Sequence, residues 1–312
     1  MSSTEADAPA SVAAVIATTN RRPEELRRAI RSILDQAHPG RIEVTVVYDA
    51  AEPEDLSDVA PPDGGLRALT VIRNGRAPGL PGARNAGVER STGELVAFCD
   101  DDDEWLPGKL QRQIAALDRS GADVCASGIE IVSGDRSILR VPSGDRLTLA
   151  DLVRDRTAAA HPSTVIVRRE AFLGPIGPVD EAIPGGYGED YEWLLRAAKA
   201  GPIVVVPEAL ARVHRGASLF ADRWQTIAEA ITYLLAKHPE VGRDRRNRAR
   251  LQGRVAFAHA AMGHRREAWS WAWRSARSRP LERRSYLALA VATGLVKPGA
   301  IQERARRVGR GV

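Results

Sequence analysis

The sequence predicts an α/β fold: a mainly parallel, twisted sheet flanked by helices, with an all-helical C-terminal region. Three observations carry that prediction. Short Val- and Ile-rich runs alternate with stretches of helical period through the front of the chain. Three of those runs end in clusters of polar side chains, where open sheets bind ligands. From Asp222 onward the pattern becomes helical throughout and strongly basic.

Ser11 to Thr18 (SVAAVIAT) reads as a buried strand. A helix follows from about Pro23 to Gln36, with Pro23 suited to a first turn and Glu24 and Glu25 near the positive helix end. Ile42 to Tyr48 and Leu66 to Arg73 are the next strands, Leu80 to Arg90 the next helix, and Leu95 to Cys99 the fourth strand. A third helix is expected over Pro107 to Ser120. The middle of the chain, Val124 to His214, is mixed. Strands are expected at Val124–Val132, Ser163–Val167 and Pro202–Val206, with a strand-like stretch at Leu210–Val213 and a helix over Tyr187–Ala200. Four further helices are expected at 224–237, 245–262, 265–278 and 281–292, punctuated by Gly263 and Pro280. The division that follows is a flexible N-terminus (1–10), an α/β domain (11–221) and a basic helical region (222–312).

With 44% hydrophobic and 27% charged residues, the composition excludes a disordered tail, a collagen and a disulfide scaffold. Cys99 and Cys125 lie in apolar surroundings and read as free thiols of a reducing compartment. Residues 1–10 lack the apolar stretch of a secretory signal, and no apolar run is long enough to span a bilayer. The expected location is the cytoplasm, including the inner face of the membrane. Charge divides the chain. Residues 1–221 carry 25 Lys and Arg against 33 Asp and Glu, whereas residues 222–312 carry 20 against 7.

The strand ends carry the chemistry: Thr18-Thr19-Asn20-Arg21, Tyr48-Asp49, and Asp100-Asp101-Asp102-Asp103. Adjacent carboxylates raise one another's pKa, and a divalent cation offsets the repulsion. Oxygen ligands of this kind suit Mg²⁺ or Mn²⁺. Alternation along a strand end puts Asp100 and Asp102 on one side. The alternative is a solvated acidic turn in which Asp103 caps the next helix.

The acidic run sits in Gly93 to Pro107 (GELVAFCDDDDEWLP), which resembles the inverting family 2 glycosyltransferases of GT-A fold. That family carries an Asp-x-Asp metal motif after a hydrophobic strand. Val15 to Arg21, Val46 to Asp49, Gly79 to Gly87 (GLPGARNAG) and Gly188 to Tyr191 with Arg196 resemble further family segments in the right order, over roughly residues 12–220. The second strand departs from the family: Tyr48-Asp49-Ala50-Ala51 keeps only the second acid of Asp-Asp-Gly-Ser, which puts Tyr48 at the nucleobase pocket.

The resemblance implies a metal-dependent, inverting transfer of a hexose-type sugar from a nucleotide-diphosphate sugar, most simply a UDP-sugar, to an acceptor hydroxyl. It places Asp49 at the base, Asp100, Asp101 and Asp102 at the ribose, metal and diphosphate, and His214 at a metal- or phosphate-facing position. Thr18 stands where it can line the nucleoside pocket. Arg84 follows a glycine-rich loop, and a guanidinium matches phosphate oxygens with paired donors. Asn85 is expected to orient that loop. Asp190, with Glu189 beside it, is the candidate general base; the alternative is a pair of helix-start acids favoured by the dipole. His161-Pro162-Ser163-Thr164 is a further candidate for sugar contact. The rival functions are a nucleotidyltransferase, which would want a glycine-rich basic loop after the first strand, and a non-catalytic sugar-nucleotide-binding module.

In the tail, Trp269 and Trp273 share one helix face and are expected to pack in a helical core, and Trp193 is expected in the core of the front domain. The charge of the tail suits an anionic lipid surface, as for a glycan or lipid-linked acceptor; no nucleic-acid motif is present.

Overall fold

The computed structural model describes residues 8–62, 64–134, 136–154, 161–214, 220 and 222–301. Most of the expected flexible N-terminus and the last eleven residues lie outside that set. The chain divides into two units. The first holds most of residues up to Gly216; the second holds Ala217 onward together with the short segments Val153–Asp155 and Ala182–Gly188.

The first unit is built on one mixed sheet. Strands β1 (Val12–Thr18), β2 (Ile42–Tyr48), β3 (Arg67–Arg73) and β4 (Leu95–Asp100) run parallel in the order β3-β2-β1-β4. Every residue of β1 is buried, as its unbroken apolar sequence requires. Register sets Thr18 beside Tyr48, Tyr48 beside Arg73, and Asp100 beside Ala17, so the carboxyl ends of all four strands finish within one residue of level at one edge.

The sheet continues through β9 (Ile166–Arg168), which runs antiparallel between β4 and β6 (Val124–Ser133), and then β10 (Ile203–His214), parallel to β6. The two short strands expected at 202–206 and 210–213 are one strand interrupted by register shifts after Val206 and Ala209. Pro207 lies in the interruption, where it has no N–H to give the ladder. Ser163 and Thr164 form a 3-10 turn rather than the start of β9. β7 (Arg136–Arg140) pairs with β6 but is exposed at every position, so it carries no burial pattern to read. Two-residue strands β5 (Glu104–Trp105) and β8 (Arg146–Leu147) pair with β10.

Helix α1 (Pro23–Leu34) buries Leu26, Ala29, Ile30 and Ile33 against the sheet. Helix α2 (Leu80–Arg90) is buried from Pro81 through Val88. Its glycines permit this: a Cβ on Gly82 would lie 1.9 Å from the Ala77 carbonyl oxygen, and one on Gly87 2.3 Å from Val15 Cγ1. Helix α3 (Lys109–Ser120) begins two residues later than expected because Gly108 takes a left-handed φ of 78°. Short helices α4 (Leu149–Arg154) and α5 (Arg169–Leu173) precede α6 (Glu189–Ala200). Trp193 is buried and donates to the Gly177 carbonyl at 3.0 Å, and Cys99 and Cys125 are buried free thiols.

Beneath the acidic edge, Lys109 is fully buried. Its Nζ donates to Gln113 Oε1 at 2.6 Å and lies 4.3 Å over the Trp105 ring. Burial lowers its pKa to about 7. The fold therefore holds the ammonium less readily than the unfolded chain does, and the penalty is complete below pH 7 and fades as pH rises toward 10.5. Lys109→Met is expected to stabilise the protein by about 2–4 kcal/mol at pH 6, and by much less at pH 10. Urea titrations at the two pH values measure the difference, and a gain independent of pH would assign it to packing instead.

The second unit contains α7 (Trp224–Lys237), α8 (Arg245–Ala261), α9 (Arg265–Ser278) and α10 (Arg283–Ala292). Its core is small-residue: Ala256, Ala260, Ala268, Ala272, Ala288 and Ala292 surround Phe257 and Val291. Ser285 donates to Ser275, which donates to the Ala249 carbonyl, so buried hydroxyls link three helices. The expectation of core packing for Trp269 and Trp273 is overturned. They are 53% and 66% exposed, because Ala268, Ala272, Ser275 and Ser278 occupy the buried face of α9. No described helix is long and apolar enough to cross a membrane.

Candidate active site

The acidic run is held by a web of cations and hydroxyls. Thr18 Oγ1 donates to Asp101 Oδ2 at 2.6 Å, and Arg22 bridges Asp101, at 2.6 Å, and Asp102. Arg84 joins Asp100 Oδ1, at 2.8 Å, to Glu189. Ser163 Oγ accepts from the Asp100 amide and donates to Asp103. The His161 ring lies between two of the acids, Nδ1 3.4 Å from Asp103 and Nε2 3.9 Å from Asp100. Asp100, Asp103 and His161 each offer a ligand atom within 4.8 Å of the others.

Burial dominates the electrostatics. It pushes Asp102 up to about 6, with Asp100 and Asp101 adding repulsion that Arg22 only partly offsets. Asp103, 1% exposed, is driven well above the ordinary carboxylate range by burial and by Asp100. Burial also opposes ionisation of Asp100, but Arg84 and His161 outweigh it and hold that group below its usual value. The arrangement is acid-rich and short of cation, with oxygen donors and one imidazole converging. Those residues fit a hard divalent cation.

The other expected residues are placed as follows. Asp49 lines a cavity of about 370 Å³ with Ala50, Glu52, Arg73, Asn74 and Pro78. Its oxygens accept from Asn74 Nδ2 at 2.8 Å and from the Gly79 amide at 2.9 Å, which ties the end of β2 to the start of α2. Tyr48 does not line that cavity; it is fully buried in the core below the sheet edge. Arg84 is 4% exposed, and burial, which would discharge it, is overcome by Glu189, Asp100 and Asp190. Asn85 exchanges hydrogen bonds with the Val179 backbone rather than with the glycine-rich loop. Asp190, half-buried in the first turn of α6, lines a small pocket with Arg84, Phe98, Pro162 and Trp193. Arg196 clamps the carbonyls of Ile176, Gly177 and Pro178.

His214 is the residue whose ring departs from its expected place. Its Nε2 lies 2.6 Å from Glu104 Oε1, an acid shared with Arg28 and Arg212, and its imidazole is not part of the Asp100–Asp103–His161 group. Arg22 completes the site without having been singled out, and Ser163, expected only as part of a sugar-contact segment, supports Asp100 and Asp103 instead. Arg21, the neighbour of Arg22 in the strand-end turn, is exposed. Only the Pro23 that follows Arg22 marks the point where α1 starts, and sequence offers no way to choose between two consecutive arginines.

Residues 13–173, just over half of the chain, match the Glycosyl transferase family 2 profile. The chain belongs to this family. Among curated relatives, the succinoglycan biosynthesis protein ExoO of Rhizobium meliloti is 35% identical over 58% of the chain and 54% of its own length. The amylovoran biosynthesis glycosyltransferase AmsE of Erwinia amylovora is 28% identical over 67% and 79%. The chain thus spans about half the length of the first of these. Among solved structures, S. aureus TarS 1-349 in complex with UDP-GlcNAc superposes with a TM-score of 0.60 at 16% identity, over 96% of this chain and 92% of that one. The mannosyltransferase PcManGT of Pyrobaculum calidifontis, in complex with GDP-Man and Mn²⁺, gives 0.52 at 17% identity, over 93% and 82%. These likenesses establish the GT-A fold of this family 2 member, with the mixed sheet described above.

Proposed function

We propose that this chain is a metal-dependent, inverting glycosyltransferase that moves a sugar from a UDP-sugar to the hydroxyl of a glycan or lipid-linked glycan in the cytoplasm. The observation that supports it most is the convergence, at one sheet edge, of the ends of β1, β2 and β4 with Arg84, Glu189 and Asp190. TarS and PcManGT, solved with UDP-GlcNAc and with GDP-Man and Mn²⁺, support the donor class.

Asp100, Asp103 and His161, whose ligand atoms converge, are the residues that would hold Mg²⁺ or Mn²⁺, with Asp102 as the adjoining carboxylate; the cation would supply Lewis-acid stabilisation of a departing diphosphate. The chain's own groups do the rest. Asp49 keeps acceptor lone pairs beyond those used by Asn74 and Gly79, which serve a base or ribose donor. Thr18 and Arg22 orient Asp101 and Asp102. Arg84 acts by positioning, since its guanidinium is committed to Asp100 and Glu189 rather than open to phosphate. Asp190 takes the acceptor proton. One base facing the anomeric carbon opposite the leaving group inverts its configuration, so no carboxylate pair is needed.

Calorimetry with UDP, GDP, dTDP and their sugars tests this. The expected result is UDP-sugar binding in Mn²⁺ that is lost in EDTA. In Asp102→Ala, donor affinity in Mn²⁺ is expected to fall to the EDTA level with the fold intact, because that carboxylate is partly exposed and strained by its neighbours. Unchanged affinity in the variant would remove the metal from the proposal; absence of binding by every nucleotide tested would remove the donor.

A further inference from the structure

The second unit has a surface that the proposed chemistry does not use. On α9, Arg266, Trp269, Ser270, Trp273 and Arg277 are all exposed and, at 100° per residue, fall within one narrow arc opposite the buried alanines and serines. Two indoles are thus presented to solvent between two arginines, whereas Trp271 points elsewhere and packs against the helical core. Elsewhere in the unit Leu281 is 79% and Leu295 80% exposed, and Tyr286 and Leu287 are also open. From Arg265 to Arg284 the chain carries seven arginines and only two acids. One of those acids, Glu282, is buried, caps α10 and pairs with Arg284.

We infer that the Arg266–Trp269–Trp273–Arg277 face of α9 is a docking surface for an anionic lipid bilayer. Large exposed apolar side chains mark interaction sites. Indole rings favour the headgroup boundary, where the ring is half in hydrocarbon and the N–H stays hydrated. Guanidinium groups beside them meet the negative surface potential of acidic headgroups, an attraction that falls away within a Debye length. The two signals together are what reversible interfacial binding requires. A second copy of this chain fits less well, because the same face on both partners would oppose arginine to arginine. Nucleic acid would satisfy the arginines and stack the indoles, yet the sequence carries no nucleic-acid-binding motif.

The test uses the full chain and sedimentation with large unilamellar vesicles. Vesicles of phosphatidylcholine and phosphatidylglycerol in 3:1 ratio are expected to carry the protein down at low salt; pure phosphatidylcholine, or high salt, is expected to release it. Trp269→Ser/Trp273→Ser is expected to reduce partitioning at least tenfold, and Arg266→Gln/Arg277→Gln by roughly 30-fold, at about a fivefold loss per charge. Both pairs are exposed, so thermal unfolding should be unchanged. UDP-sugar affinity, measured in parallel by calorimetry, separates a failure of this surface from a failure of the catalytic proposal. The inference is overturned if the protein ignores anionic vesicles, if the tryptophan pair can be removed without effect, or if binding is indifferent to lipid charge. A concentration-dependent dimer abolished by the tryptophan variant, or preferential binding of an RNA oligomer over vesicles, would equally overturn it and assign the face to that partner.

Discussion

Asp190→Asn is expected to lower turnover about 10²–10⁴-fold while leaving donor affinity and thermal stability close to those of the parent. The reasoning starts from position. Asp190 stands in the first turn of α6, where its Oδ1 accepts from the Tyr191 amide at 2.8 Å, and it shares a small pocket with Arg84, Phe98 and Trp193. Asparagine keeps the acceptor oxygen and the volume, so the turn survives, but it cannot take a proton. A nucleophilic hydroxyl must lose its proton as it attacks, and that is the one service the substitution removes. Glu189 makes the informative contrast. It is 4% exposed and bound to Arg84, so Glu189→Gln should act through the fold and show a lowered Tm alongside any loss of rate. Single-turnover kinetics with saturating donor distinguish the two. A variant at Asp190 with near-normal turnover would move the base to another residue, and a variant that lost donor affinity as well would make Asp190 part of the binding site.

Much of this site is legible in the sequence because strand ends are legible. A short apolar run with β-branched residues, such as Val12–Thr18, reads as a buried strand, and the polar residues after it then lie on the edge where parallel strands finish. Thr18, Asp49 and Asp100 follow from that logic. Contacts between distant segments do not. His161 comes within reach of Asp100 and Asp103 only because a 3-10 turn sets Ser163 under the acids; Pro162 suits the first position of that turn, but nothing in His-Pro-Ser-Thr says which distant side chains it will meet. Arg84 reads as a phosphate ligand when the glycine-rich loop is seen alone; in the fold Glu189, more than a hundred positions later, takes one arm of its guanidinium. His214 reads as a ligand through its ring; in the fold β5 brings Glu104 to that ring, and it is the His214 backbone that hydrogen-bonds Asp103. The tail fails for a different reason. Helical period states that Trp269 and Trp273 share a face, but whether the face is buried depends on the neighbours, and here alanine and serine fill the contact.

Arg84→Met is the substitution expected to damage the protein most, by about 3–5 kcal/mol. Arg84 is 4% exposed, sits 5.8 Å from the Phe98 ring centroid, and is the cation that Asp100, Glu189 and Asp190 all face. Methionine fills much of the same space, so the loss is not a cavity effect; it is the cost of removing the cation that Glu189 and Asp100 share inside the domain. Arg84→Lys should recover only part, because a single ammonium cannot repeat a fork that reaches two carboxylates from one planar group. The decisive measurement is the cycle with Glu189→Gln. If the guanidinium serves mainly to neutralise Glu189, the double variant Arg84→Met/Glu189→Gln should be more stable than the sum of its parts, with a coupling of about 1–3 kcal/mol in urea unfolding. Additive losses would mean that Arg84 and Glu189 contribute independently. Arg84 would then answer to Asp100 alone, and the link it makes between the end of β4 and the start of α6 would not be what sets Asp190 in place.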